Sequence, residues 1–293
     1  MSEPHYPEPI SIEIFDLAFG GDGVGRLPDG RIVFVPFTAA GDAVLVEVVA
    51  ERKSMARAVA REITDPAASR VEPACPYFGR CGGCAYQHMD YDSQVAAKKK
   101  QMREALLRIA KLPELPDSIQ TIPAKDPYGY RNKLMLEPFR THSPGKPSFV
   151  DYGFCTTDHR RFFAPRSCAI ALPGISETLP RARAAARRQA EREGNRKRPR
   201  KLLLREPSAG EVRYFIGRPH PHTEWLSETF MGMDLRVPPA CFWQVNTPVA
   251  EDLVAAVRDW FSRHPTERLV EAYAGVGVFS LAIGDLVARA GLV

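Results

Sequence analysis

The sequence predicts a multidomain α/β protein. It reads as a small OB-like β-barrel, a central α+β region with a cysteine-rich loop, and the first strand–turn–helix of a Rossmann-like open sheet. Three observations carry this: short strands crowded into residues 9–63, three cysteines within CPYFGRCGGC, and a glycine turn between an apolar strand and a helix in EAYAGVGVFS.

The barrel comes first. Ile10, Ile12 and Ile14 alternate with Ser11 and Glu13, the period of two of a half-buried strand. The glycines of FGGDGVGR (Gly20, Gly21, Gly23, Gly25) read as a flexible turn. Arg31–Val35, stopped by Pro36, then Ala43–Val49 and Met55–Ile63 follow as strands. Barrels of this kind bind nucleic acid or serve as adaptors.

Residues 64–74 form a linker with two prolines. A helix is predicted from Asp92 to Lys111, with Val95, Met102, Leu106 and Ile109 as its core stripe and Lys98, Lys99, Lys100 and Arg103 on its remaining surface. Residues 120–170 alternate apolar runs with Pro and Gly, the pattern of a strand-rich middle region. A further helix starts at Pro248 after Thr247, with Glu251 and Asp252 in its first turn. Val249, Leu253, Val257 and Trp260 are its expected buried face. Arg268–Tyr273 then reads as a strand and Val278–Arg289 as a helix.

Composition excludes several classes. With 44% hydrophobic and 26% charged residues, the chain is of ordinary globular type and not a disordered one. No apolar run approaches the roughly 18 residues of a membrane span. MSEPHYPEPI lacks the basic-then-apolar order of a signal peptide, so a soluble, cytoplasmic protein is expected. The net charge of +5 is uneven: residues 181–201 hold ten Lys or Arg against two Glu, a local +8 that leaves −3 for the rest. Such a block is either a solvated face or a phosphate-binding arm.

Cys75, Cys81 and Cys84 lie too close together for chance, and thiolates so spaced in an intracellular protein are held by a metal or are redox-active. Zinc sites tend to bring paired CxxC units, whereas iron–sulfur clusters accept irregular three-plus-one spacing, which favours iron–sulfur. Cys155, Cys168 and Cys241 are the candidates for a fourth ligand. Near the C-terminal end, Gly275 and Gly277 let the main chain turn sharply and approach a ligand, but a lone GxG does not choose its cofactor. In FWQVN (242–246), the aromatics are core or ligand cage, and Gln244 and Asn246 are ligand-binding amides or caps.

Together these segments resemble the S-adenosyl-L-methionine-dependent RNA uracil-5-methyltransferases. Residues 9–63 look like the family's TRAM domain, an RNA-binding barrel, and the cysteine loop with its helix looks like that of the iron–sulfur members. PYGYRNK (Pro127–Lys133) resembles the YRNK segment, and YGFCTTDHRRFFAPRSCAI the stretch ending in the last cluster cysteine. The resemblance implies a [4Fe-4S] cluster on Cys75, Cys81, Cys84 and Cys168, leaving out Cys155 and Cys241. FWQVN and EAYAGVGVFSLA match the family's cofactor segments, which implies cofactor contacts at Gln244, Tyr273, Gly275 and Gly277. Val278 stands where the turn often carries Asn. The basic block at 181–201 matches no family motif.

The resemblance implies three domains: TRAM at 1–66, an iron–sulfur domain at 67–230 with the basic insert, and the start of a methyltransferase domain at 231–293. It implies methylation of C5 of a uridine, in large-subunit ribosomal RNA rather than tRNA, by a monomer with RNA as its partner. In the family a cysteine thiolate adds to C6 of a flipped-out uracil, C5 takes the methyl group from the sulfonium, and a carboxylate removes the C5 proton as the thiolate leaves C6. That cysteine and base lie downstream of the glycine turn, and no residue before Val293 matches them. Cys241 stands where the family has a non-catalytic small residue. The expectation is therefore a truncated chain, inactive alone, whose lone parallel strand lacks neighbours. A non-catalytic RNA-binding iron–sulfur protein and a nucleotide-dependent redox protein are the competing classes.

Overall fold

A computed structural model describes residues 6, 8–115, 119–141, 145, 148–194, 199–220 and 224–292. The chain divides into two compact units, Met1–Pro123 with Thr156–Arg160, and Ala124–Cys155 with Arg161–Val293. No helix among the described residues is long and apolar enough to cross a membrane.

The first unit is built on a closed barrel of β1 (Ile10–Leu17), β2 (Gly23–Arg26), β3 (Ile32–Val35), β4 (Ala43–Glu51) and β5 (Met55–Asp65), in the order β1-β2-β3-β5-β4. Only the β3–β5 pairing is parallel. The expected alternation holds, with Ile12 and Ile14 buried beside Val33, Val35, Val44 and Val46. The glycine run splits in two. Gly20 and Gly21 turn with φ of 101° and 99°. Gly23 and Gly25 instead belong to β2, and a Cβ at Gly23 would lie 2.0 Å from Thr38 Oγ1. These two are small for close packing, not for flexibility.

The helix α1 (Tyr91–Arg108) follows the cysteine loop and is capped by Asp90, whose carboxylate accepts from the Ser93 amide. It buries no residue fully. Met102 is 57% and Ile109 81% exposed, so the expected core stripe is not core. The helix meets the barrel through small and polar groups instead. Ala97 packs beside Leu17, Ala39 and Met89. Gln101 donates to the Ala18 carbonyl, and Lys100 pairs with Asp16.

The second unit contains β6 (Lys133–Arg140), β7 (Val150–Cys155), β8 (Phe162–Phe163), α2 (Pro173–Glu193), β9 (Leu202–Arg205) and β10 (Arg213–Ile216). The strands form one sheet in the order β10-β9-β6-β7-β8. Helix α2 covers one face, with Ile175, Leu179, Ala182 and Ala186 packed on Leu134, Leu136, Leu202 and Leu204. The basic block is thus largely the C-terminal half of this helix, except that residues 195–198 lie outside the described ones. Arg183 pairs with Asp151, and Arg187 stacks 4.3 Å over Phe149. Those two cations are neither a solvated face nor a phosphate-binding arm: they serve packing.

A hairpin of β11 (Leu226–Phe230) and β12 (Met233–Val237) leads to α3 (Thr247–Arg263). Asn246 caps α3 by accepting from the Val249 amide, so the cap falls one residue before Thr247. The buried residues of α3 are Ala250 and Val254, while Leu253 and Trp260 are each 50% exposed. Of the expected face, Val257 packs on the core cluster, with Phe261 beside it there in place of Trp260. Finally β13 (Thr266–Glu271), α4 (Val278–Ile283) and β14 (Val287–Leu292) make one βαβ unit. The helix ends at Ile283, six residues short of Arg289, because Gly284–Leu286 tighten into a 3₁₀ turn. β14 then pairs in parallel with β13, which therefore does not lack a neighbour.

Candidate functional site

In the second unit, the YRNK and FWQVN segments are joined. The Asn132 amide N–H donates to the Val245 carbonyl at 3.0 Å, and its side-chain Nδ2 reaches the Gln244 carbonyl at 2.9 Å and Thr247 Oγ1 at 3.2 Å. Asn132 is only 3% exposed, so these bonds are shielded from water. Trp243 is buried edge-on against Phe230 at 5.7 Å, which answers the core-or-cage question for one aromatic. Phe242 is 71% exposed. Of the two amides, Asn246 is spent as the α3 cap. Gln244 is half-buried, and its side chain makes no hydrogen bond to another described residue.

The glycine turn belongs to the same packed body, because Trp243 and Val278 share one core cluster with Val254 and Ala282. Gly275 and Gly277 have φ of 61° and 74°, the left-handed region that glycine enters without strain. Gly277 caps α4 with its amide bonded to the Ala274 carbonyl at 2.8 Å. Tyr273 also has a positive φ, 60°, and is fully exposed. Glu271, not singled out from the sequence, holds this turn from beneath: its carboxylate accepts from the Ser280 amide at 2.9 Å and from the Ser280 hydroxyl. An acid at the end of a strand, nine residues before a helical Ser, was the available signal.

Beside these segments stands a buried ion pair, Arg205 with Glu228, at 2.6 Å and at most 1% exposed. Glu228 also accepts from the Ser208 amide and hydroxyl. Lys133 is held below the usual lysine range by burial first and by the Arg205 charge second, against an opposing effect of Cys241. Its ammonium reaches towards the Cys241 carbonyl at 3.5 Å.

The cysteine loop folds as a series of turns in the first unit. The Cys75 amide donates to Gln87 Oε1 at 3.2 Å, and the Cys81 amide to the Tyr77 carbonyl at 2.8 Å. Cys168, in the second unit, exchanges hydrogen bonds with Ser176. All six cysteines are half-buried, and none is in a disulfide. Among the described residues no three His, Cys, Asp or Glu side chains are gathered into a group able to hold a metal ion. Cys75, Cys81 and Cys84 lie in the first unit and Cys168 in the second, and each is a chemically suitable thiol donor.

Residues 9–60 match the TRAM domain family, the span of the barrel. The chain is 30% identical to the 23S rRNA (uracil(1939)-C(5))-methyltransferase RlmD of Thiobacillus denitrificans, over 93% of this chain and 69% of that protein. It is 30% identical to the tRNA (uracil(54)-C(5))-methyltransferase of Schizosaccharomyces pombe, over 93% of this chain and 53% of that one. With an RNA methyltransferase of Thermosynechococcus vestitus it shares 28% identity, covering 96% and 71%. The fold matches the crystal structure of the Pyrococcus abyssi tRNA (uracil-54, C5)-methyltransferase in complex with S-adenosyl-L-homocysteine, with a TM-score of 0.60 and 20% identity over 96% of this chain and 79% of that. With the barrel, the joined YRNK and FWQVN segments and the glycine turn in one order along the chain, this chain belongs to the RNA (uracil-C5)-methyltransferase family.

Proposed function

We propose that this chain serves S-adenosyl-L-methionine-dependent methylation of C5 of a uridine in RNA, with large-subunit ribosomal RNA as the substrate. The observation that carries the reading is the single packed body formed by FWQVN and the glycine turn, with the Gln244 amide unspent and Tyr273 fully exposed. Gln244, Tyr273, Gly275 and Gly277 are the residues that would hold the cofactor. When bound, the cofactor supplies an electrophilic methyl group on a sulfonium. The chain's own part is to bind and orient: Asn132 fixes the main chain at Gln244, and Glu271 fixes the first turn of α4 behind the glycines. No residue of 1–293 is assigned as nucleophile or base. The barrel is the RNA-binding element of this reading, and the division at 1–66, 67–230 and 231–293 is its domain plan.

The same reading assigns Cys75, Cys81, Cys84 and Cys168 to a [4Fe-4S] cluster, supported by their spacing in the sequence; no step of the reaction passes through it. Anaerobic purification with iron and sulfide analysis tests that assignment, and a colourless protein with one zinc contradicts it. Equilibrium dialysis with labelled S-adenosyl-L-methionine tests the cofactor site. Binding by the wild type and at least a tenfold loss on Gln244→Ala are expected, and unchanged binding refutes the role of Gln244. A tRNA substrate is the second reading, favoured by the S. pombe relative, and competition between unmodified ribosomal RNA and tRNA separates the two.

A further inference from the structure

The sheet of the second unit has one face under α2 and an opposite face of different chemistry. Side chains alternate along a strand, so Leu134 and Leu136 point to α2 while Lys133 and Met135 point away. On β9, Leu203 lies directly across from Met135. A cleft of about 610 Å³ opens on this face, with Lys133, Arg200, Lys201 and Arg218 around Met135 and Leu203. No carboxylate is among its lining residues.

Two of the four cations are paired and two are not. Arg200 pairs with Glu193 and Lys201 with Glu137, but at exposed positions where such pairs contribute little and exchange readily. Lys133 and Arg218 form no ion pair among the described residues. Arg200 is held in place by Gly217, where a Cβ would come within 2.9 Å of the Arg200 Cδ and whose amide bonds the Lys201 carbonyl at 2.8 Å. Four like charges gathered around one cleft repel one another, a repulsion that a bound polyanion relieves. The floor is apolar, with Met135 48% exposed and flanked by prolines 199 and 219. The volume suits a nucleotide-sized group. RNA read in single-stranded form offers this pairing of splayed base and phosphate.

Resting on the family reading above, we propose that this sheet face binds a single-stranded RNA segment. Its phosphates lie on Lys133, Arg200, Lys201 and Arg218, and a base lies over Met135 and Leu203. The partner is RNA rather than an acidic peptide because the apolar floor between the cations suits a base.

The test is fluorescence anisotropy of a labelled twelve-nucleotide oligouridylate with the whole chain, titrated across salt concentrations. Each single-strand phosphate contact adds about 0.7 to the slope of log affinity against log salt. The Lys201→Gln/Arg218→Gln variant is therefore expected to lower the slope by about 1.4, a loss of roughly 25-fold at 0.1 M salt. Lys201→Arg/Arg218→Lys, which keeps both charges, retains the wild-type slope. So does Arg263→Gln, which removes an exposed cation outside the cleft. Met135→Asp, which places a carboxylate on the floor, weakens binding on its own. A wild-type slope in the Lys201→Gln/Arg218→Gln variant overturns the cleft while leaving the family reading intact. Equal, cleft-dependent affinity for a duplex of the same length overturns the single-stranded preference. Cofactor dialysis on the same preparations separates the two levels: a wild type that binds neither cofactor nor RNA overturns the family reading and this proposal together.

Discussion

Glu228→Gln is the perturbation with the largest expected effect away from any ligand. Arg205 is fully buried, and its Nη2 donates to Glu228 at 2.6 Å. Its other contact to this region is a weak 3.5 Å bond to the Pro239 carbonyl, and its Nε has no partner. The amide of Gln keeps the shape but removes the countercharge, and its NH₂ faces either the guanidinium or the Ser208 donors. Breaking a fully buried pair costs about 3–5 kcal/mol, because an uncompensated charge is left without water. At an m-value of about 2 kcal/mol per molar urea, the midpoint falls by roughly 2 M. The assay is urea unfolding followed by tryptophan fluorescence. All three tryptophans, Trp225, Trp243 and Trp260, lie in the second unit, so the signal reports that unit alone. The Arg205→Met/Glu228→Leu variant removes both charges and fills the same space, so it recovers most of the loss. A Glu228→Gln midpoint within about 0.5 M of wild type, roughly 1 kcal/mol at that m-value, refutes the reasoning. So does a double variant less stable than the single one.

Further outcomes follow from other named contacts. Burial alone would raise the Asp42 carboxyl, but hydrogen bonds from Arg70 and from the Ala67 and Ala39 amides hold it below its ordinary 3.8. Its stabilisation of the barrel is therefore complete above about pH 4 and fades as pH falls through the depressed folded value. Asp42→Asn loses about 3 kcal/mol at pH 7 and shows a flatter acid limb, read by amide hydrogen exchange of the barrel strands. Asn132→Ala leaves the Gln244 carbonyl without its side-chain donor; about 1–3 kcal/mol of stability is lost, and cofactor binding weakens in the dialysis assay. Gly23→Ala drives a Cβ against the buried Thr38 hydroxyl, which already bonds the Val35 carbonyl. The barrel loses about 1–3 kcal/mol by overpacking, visible as a lower thermal midpoint by circular dichroism.

The parts legible in the sequence are those set by short-range patterning. Ile10–Ile14 announced a strand because one face of it is core and the other is water. Pro248 and the residues before it announced the α3 start, though the choice between Asn246 and Thr247 as cap depends on which side chain faces the Val249 amide. What failed depended on partners distant in sequence. The Val95–Ile109 stripe has helical spacing, but α1 meets the barrel through Ala97, Gln101 and Lys100, a preference no periodicity records. Helix α2 was hidden under its own charge, although Ile175, Leu179, Ala182 and Ala186 keep helical spacing throughout. Gly23 and Gly25 looked like turn residues because glycine marks both loops and tight packing, and only the neighbouring Thr38 and Ile12 decide between them.

The candidate site shows why motif and fold have to be read together. YRNK is a single run of letters, yet its last two residues serve different surfaces. Asn132 turns its side chain to FWQVN and fixes the main chain of Gln244, the residue assigned to the cofactor. Lys133 opens β6, and with Met135 it lines the face away from α2, where the basic cleft lies. The buried Arg205 sits directly across the sheet from Lys133, whose ammonium is held below its usual range by burial first and by the Arg205 charge second. The amide of Glu206, the residue after Arg205, donates to the Asn132 carbonyl at 3.0 Å, so a change that unseats Arg205, such as Glu228→Gln, acts on the cleft through Lys133 and on the cofactor segment through Asn132. The two effects separate by measurement: salt dependence of RNA binding follows Lys133, and salt-insensitive cofactor affinity follows Asn132.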